Sequence, residues 1–80
     1  MYALYIVRCA DGTLYTGITT DLKRRLEEHN SSPLGAKYTR GRRPVILVYS
    51  RRFRSRSRAS REEAGIKKLS RQEKLALCHL

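Results

Sequence analysis

The sequence predicts an α+β fold: a small three-stranded sheet, made of a β-hairpin, a helix and a third strand, flanked by about three helices in the order ββαβαα. Three observations predict it. Two runs rich in β-formers flank an Asp11-Gly12 pair, the strongest short-range hairpin signal. A polar segment with leucines one turn apart follows, at helical spacing. A third apolar run, Val45 to Tyr49, then precedes two further helical patterns.

Tyr2 to Arg8 is a near-continuous apolar run, and Cys9-Ala10-Asp11-Gly12 ends it. Thr13 to Ile18 returns as the second strand. With the turn centred near Ala10 or Asp11, paired positions sum to about 20 or 21, which sets Tyr5 and Tyr15 as near neighbours on one face. Gly17 reads as a tight turn into the next helix. Thr19 or Thr20 caps that helix, and Asp21 in its first turn complements the helix dipole. It runs to about Asn30, with Leu22 and Leu26 facing the core and Lys23, Arg24, Glu27 and Glu28 outside. Asn30 to Gly35 is a helix stop and loop. Val45 to Tyr49, apolar on both faces, reads as a central or well-covered strand. Arg51 to Ser57 reads as a mobile charged connector. A helix follows from Ser57 or Arg58 to Leu69, with Gly65 as its weak point. Ser70 with Glu73 three residues on forms a capping box that opens a last short helix through Leu77.

Eighty residues are expected to form one domain, 1–80, with a thin core and no separate DNA-recognition domain. No stretch approaches the ~18–20 apolar residues of a membrane span. The N-terminal run lacks a basic leader, so no signal peptide is expected. Cys9 and Cys78 have no metal-type spacing and read as free thiols in a reducing cytoplasm.

Charge is the dominant compositional fact: 18 Lys+Arg against 7 Asp+Glu, a formal net charge of +11. From Lys37 through Arg61 there are ten basic residues and no acidic one. Arginine dominates, and its planar fork suits phosphate. Lys37, Arg40, Arg42, Arg43, Arg51, Arg52, Arg54, Arg58 and, further on, Lys67 are therefore the candidate nucleic-acid contacts. A merely solubilising surface would mix both signs.

Asp21, Arg25 and His29 are spaced i, i+4, i+8 along one helical stripe beside the tyrosines. A buried guanidinium needs acceptors, and two phenols match it poorly unless an anion completes the set. Asp21 reads as a helix-start residue. Glu63 is the best single candidate for a hard divalent cation, which needs only one or two carboxylates plus waters. The bland alternatives are i, i+4 ion pairs, Glu63 with Lys67 and Glu62 with Arg58.

Ala3-Leu4-Tyr5, then Tyr15-Thr16-Gly17, then Arg25, then Glu63 within Glu63-Ala64-Gly65-Ile66-Lys67-Lys68-Leu69 resembles the GIY-YIG endonuclease superfamily over roughly residues 2 to 77. It looks closest to the small stand-alone bacterial proteins of UPF0213 type. The resemblance implies a metal-dependent endonuclease hydrolysing DNA phosphodiester bonds, branched or damaged DNA included, with RNA as the other nucleic-acid partner. Carried over by position, Tyr5 or Tyr15 orients or deprotonates the attacking water. Arg25 holds the scissile phosphate, His29 is a polar helper, and Glu63 holds one Mg²⁺ or Mn²⁺. A free phenol has a pKa near 10, so a tyrosine base needs a cation beside it at neutral pH. The chain departs from the family pattern at Ala3, where the leading glycine of the first motif would stand. It also lacks the late asparagine that helps hold phosphate in larger members, a role left empty or to a base such as Lys67. Such a bare domain is expected to be a monomer, and its activity weak or dependent on a protein partner for specificity. The alternatives are a non-catalytic DNA- or RNA-binding module on the same fold and a ribosome-associated basic protein.

Overall fold

The computed structural model describes residues 1–31, 39 and 41–78. The elements are β1 (Tyr2–Arg8), β2 (Leu14–Thr19), α1 (Leu22–Ser31), β3 (Ile46–Phe53), α2 (Arg56–Lys67) and α3 (Arg71–Leu77). The sheet has the order β2-β1-β3, with both pairs antiparallel.

The hairpin forms as its Asp-Gly pair predicts. Gly12 takes a left-handed φ of 86°, which a side chain would resist. The Asp11 carboxylate accepts from the Thr13 amide and hydroxyl at 3.1 and 2.6 Å, an Asx turn that sets the corner. The register pairs Tyr5 with Gly17 and Val7 with Tyr15, so paired positions sum to 22. Tyr5 and Tyr15 share a face, as predicted, but sit on the diagonal instead of opposite each other. The turn is centred on Asp11 itself, which shifts the pairing.

β1 is the central strand, and both its faces are covered. That explains its unbroken apolar sequence. Tyr5, Val7, Cys9 and Val45 form one core layer, closed by Leu22 and Leu26 of α1. Leu4, Ile6, Ile66 and Cys78 form the other, under α2 and α3. Cys9 and Cys78 lie in different layers on opposite faces and are free thiols.

The third strand differs from its prediction in two ways. β3 is an edge strand, with Ile46 64% exposed. It also continues through Arg51 and Arg52 to Phe53, where a mobile connector was expected. The reason is the central strand: Tyr2, Ala3 and Leu4 need ladder partners, and Phe53, Arg52 and Arg51 provide them. An edge strand tolerates such charges, which also discourage edge-to-edge pairing. A register shift between Ile6 and Val7 leaves Val48 as the extra residue of a bulge.

Helix ends follow their caps. Asp21 is itself the cap of α1, its carboxylate accepting from the Arg24 amide at 3.1 Å, while Thr19 Oγ1 accepts from the Asp21 amide at 3.1 Å. α2 begins at Arg56 because Ser55, one position before it, accepts from the Arg58 amide at 3.2 Å; the helix ends at Lys67, two residues before the predicted Leu69. The Ser70–Glu73 capping box forms reciprocally and opens α3 as predicted. No helix among the described residues is long and apolar enough to cross a membrane.

Candidate active site

Gly17 lies within β2, directly across from Tyr5, and not in a turn. A Cβ at this position would fall 2.6 Å from the Tyr5 hydroxyl and 2.8 Å from its Cζ. The glycine exists to let the Tyr5 ring lie across the neighbouring strand. Tyr15 packs beside it, with ring centroids 6.5 Å apart, and both rings meet His29 edge-on at 5.7 and 5.4 Å. Tyr5 and His29 are shut off from solvent, at 1% and 0% exposure, whereas Tyr15 is half-buried.

A polar chain runs through this layer. Tyr5 Oη and His29 Nε2 are 2.8 Å apart, and His29 Nδ1 is 2.8 Å from Thr39 Oγ1. Arg25 donates to the Tyr5 oxygen from the solvent side. A guanidinium has no acceptor, so the phenol proton goes to His29 Nε2. Nδ1 of the imidazole then carries the other proton and donates to Thr39. Burial is the main force pushing the His29 pKa down, and the Arg25 and Arg43 charges add to it against an opposing contribution from Glu28. The ring is therefore neutral at pH 7, as the hydrogen-bond chain requires. Burial also dominates at Tyr5 and raises its phenol pKa. The hydrogen bond from Arg25 opposes that rise, while Tyr15 and Glu63 add to it. Tyr5 stays protonated at neutral pH.

Arg25 has an acceptor that the sequence analysis left outside: Glu28 Oε1, 2.9 Å from Nη1, with the two side chains 24% and 19% exposed. Arg24 Nε approaches the other Glu28 oxygen at 3.7 Å. The i+3 and i+4 spacings were readable in the sequence. Helical phase alone points Glu28 to solvent, and its three-residue spacing from Arg25 turns it back to the guanidinium. Thr39 had no such signal, since only the folded chain brings it to His29.

Glu63 stands on α2, its carboxylate 3.4 Å from Lys67 Nζ, which is the ion pair predicted as its bland alternative. Its negative charge is nonetheless close enough to raise the Tyr5 pKa. Glu62 pairs with Arg51 of β3 at 3.8 Å instead of with Arg58, because β3 extends far enough to offer it. No group of three or more His, Cys, Asp or Glu gathers among the described residues. Glu63 alone offers a single partly exposed carboxylate whose partner is an exchangeable surface lysine. That fits Mg²⁺ or Mn²⁺, which keep several waters and need few protein ligands.

Arg25 opens onto a cleft of about 350 Å³ that Tyr2, Thr20, Arg24, Glu28 and Arg56 also line. The site thus brings Tyr5, Tyr15 and His29 into mutual contact, sets Arg25 against the Tyr5 hydroxyl, and places Glu63 within electrostatic range.

The predicted basic strip divides. Lys37 and Arg40 lie outside the described residues. Arg42 pairs with Asp11 at 3.0 Å across the hairpin turn. Arg43 donates from Nε to the His29 carbonyl at 2.6 Å and from Nη2 to the Glu28 carbonyl at 3.4 Å, closing the C-terminus of α1. Asn30 exchanges two hydrogen bonds with the Val45 backbone, at 2.7 and 3.1 Å, and so fixes the approach to β3. Arg51, Arg52, Arg54 and Arg58, joined by Arg61, line a separate groove of about 530 Å³ between β3 and α2.

Comparison with known proteins gives the family. A family profile described as "GIY-YIG catalytic domain" matches residues 1–76. A UPF0213 protein of Desulfotalea psychrophila is 62% identical over 74 residues, 92% of this chain and 67% of that protein. One of Halobacterium salinarum is 54% identical over 77 residues, covering 96% and 99% of the two chains. The solution structure of a UPF0213 protein from Bacillus halodurans superimposes with a TM-score of 0.61 at 49% identity, covering 96% of this chain and 82% of that one. A protein from E. faecalis superimposes with a TM-score of 0.63 at 43% identity, covering 95% and 81%. With its profile match from the first strand to α3, and with both tyrosines, Arg25 and Glu63 around one sheet, the chain belongs to the GIY-YIG family.

Proposed function

We propose that the protein is a metal-dependent endonuclease that hydrolyses DNA phosphodiester bonds. The observation that carries this reading is Arg25: a partly exposed guanidinium that opens onto a cleft while donating to a phenol that also feels Glu63. A phosphodiester in the cleft takes the place of Glu28 as the acceptor for Arg25, which then also stabilises the charge growing on phosphorus in the transition state. Tyr15, the more exposed phenol, orients the attacking water. Tyr5 and His29 hold Arg25 and Tyr15 in place from within the core. Glu63 holds one Mg²⁺ or Mn²⁺, which supplies Lewis-acid charge neutralisation at the phosphate.

Incubation with branched, nicked, single-stranded and duplex DNA plus Mg²⁺ or Mn²⁺ tests it, with Arg25→Ala and Glu63→Ala beside the wild type. Cleavage by the wild type alone is expected, and cleavage that survives both substitutions sinks the mechanism. A non-catalytic DNA- or RNA-binding module is the second reading. The mutual neutralisation of Arg25 with Glu28 and of Glu63 with Lys67 favours it. It predicts binding with no cleavage under any of these conditions.

A further inference from the structure

Three grooves meet at the start of the central strand. The Arg25 cleft shares Tyr2 and Thr20 with a smaller groove of about 210 Å³, and that groove shares Met1 and Arg52 with the arginine-lined groove between β3 and α2. Together they make one path. It leaves the Arg25 cleft and passes Ala3 and Arg52, which are ladder partners on the α1 face of the sheet. It then crosses over Met1 and continues past Phe53, which packs on the α2 face.

We infer that this path holds one unpaired strand of DNA, bent around Met1 and Tyr2. The inference rests on the Arg25 cleft being where a phosphodiester sits, and it adds the form of DNA that reaches it. A double helix follows such a path poorly. The path changes sheet faces within a molecule whose largest extent is 29 Å, and bending a duplex that sharply over so short a length costs much elastic energy, since its persistence length is about 150 base pairs. A single strand has no such stiffness. The chemistry of the walls also suits one: a basic groove for the phosphates with an aromatic ring for the bases. Arg24 and Arg56 stand at the cleft, Arg52 at the crossing, and Arg54 and Arg58 beyond it. Tyr2 lines both the cleft and the middle groove, so its ring is the stacking platform at the bend. Glu62 is the acid in the far groove. It is already paired with Arg51, which also lies over the Phe53 ring at 5.2 Å.

Fluorescence anisotropy with a labelled oligothymidine and a duplex of equal length, in EDTA so that cleavage plays no part, tests the inference on the full chain. Single-strand binding is expected to exceed duplex binding by about tenfold. Tyr2→Leu is expected to weaken single-strand binding at least about fivefold while duplex binding stays unchanged. Arg54→Ser with Arg58→Ser is expected to flatten the slope of log affinity against log salt by about 1.4, since each single-strand phosphate contact contributes about 0.7. Duplex binding as tight as single-strand binding overturns the inference. So does an unchanged affinity in Tyr2→Leu, with its fold checked by circular dichroism. If Tyr2→Leu does not fold, an unchanged salt slope in the arginine pair overturns it equally. Selective single-strand binding with no cleavage in Mg²⁺ counts against the nuclease reading alone, and cleavage with a duplex preference counts against the strand path alone.

Discussion

The Tyr5 ring covers the place where residue 17 would carry a Cβ, and Gly17 is therefore the mould into which Tyr5 is pressed. Gly17→Ala pushes a methyl group to 2.6 Å from a hydroxyl that is buried and hydrogen-bonded to His29, so the ring has nowhere cheap to go. Overpacking of this kind costs about 1–3 kcal/mol. A fall in the urea midpoint of that size, at unchanged m, is expected. An alanine variant as stable as the wild type would show that the ring moves freely and that the contact sets nothing.

The two tyrosines separate by what surrounds them. Tyr5→Phe removes the hydroxyl that donates to His29 Nε2 among the described residues and takes an acceptor from Arg25. Leaving a buried acceptor unsatisfied costs about 1–3 kcal/mol. Tyr15→Phe, at a half-buried ring, is expected to cost less stability but to lose most DNA cleavage. Paired unfolding curves and cleavage rates for the two variants check this. Full cleavage in Tyr15→Phe together with none in a well-folded Tyr5→Phe would reverse the roles.

Much of this arrangement was legible in the chain because it depends on local rules. Asp11-Gly12 announces its turn, Ser70 with Glu73 its helix start, and the helical stripe sets Arg25 and His29 one turn apart. What was not legible depends on the sheet as a whole. β1 looked no more central than the run at Val45, because both are apolar on either face. Only the partner strands decide between them. The same pairing drew Arg51 and Arg52 into β3, where charge had suggested a mobile connector. At the site, the sequence supplied every side chain but not the bonds among them. Glu28 looked like a solvent residue by helical phase, yet its three-residue spacing from Arg25 decides its role. Among the basic residues, Arg42 and Arg43 read like their neighbours and are spent on Asp11 and on the end of α1.

His29 makes stability depend on pH. It faces Tyr5 and Thr39 directly, with the charges of Arg25, Glu28 and Arg43 around it. Its folded pKa lies below the ordinary value of 6.5, so the unfolded chain binds the extra proton more readily. Stability is then complete above about pH 6.5 and declines as the pH falls toward the lower folded value. The limiting slope is about 1.4 kcal/mol per pH unit for one proton. Protonation also places a hydrogen on Nε2, opposite the Tyr5 hydroxyl that donates to it. Urea unfolding between pH 7.5 and 5 is expected to show this decline in the wild type and to lose that component in His29→Gln. Parallel profiles for the two proteins would remove His29 as the cause.

Under the proposed function Glu28 competes with a phosphate for Arg25, and its removal measures the strength of that competition. In the free protein its carboxylate satisfies Arg25 at 2.9 Å and attracts Arg24 at 3.7 Å. In the proposed reading a nucleic-acid phosphate at Arg25 competes with this carboxylate for the guanidinium. Partly exposed ion pairs are worth about 0.2–1 kcal/mol, which corresponds to at most about fivefold in affinity. Glu28→Gln keeps the side chain's length and its hydrogen-bonding oxygen while deleting the charge. Tighter DNA binding by about two- to fivefold is expected, measured by anisotropy at low salt, with the gain shrinking as salt rises. Weaker binding in Glu28→Gln would mean that the carboxylate positions Arg25 for the phosphate and does not compete with it.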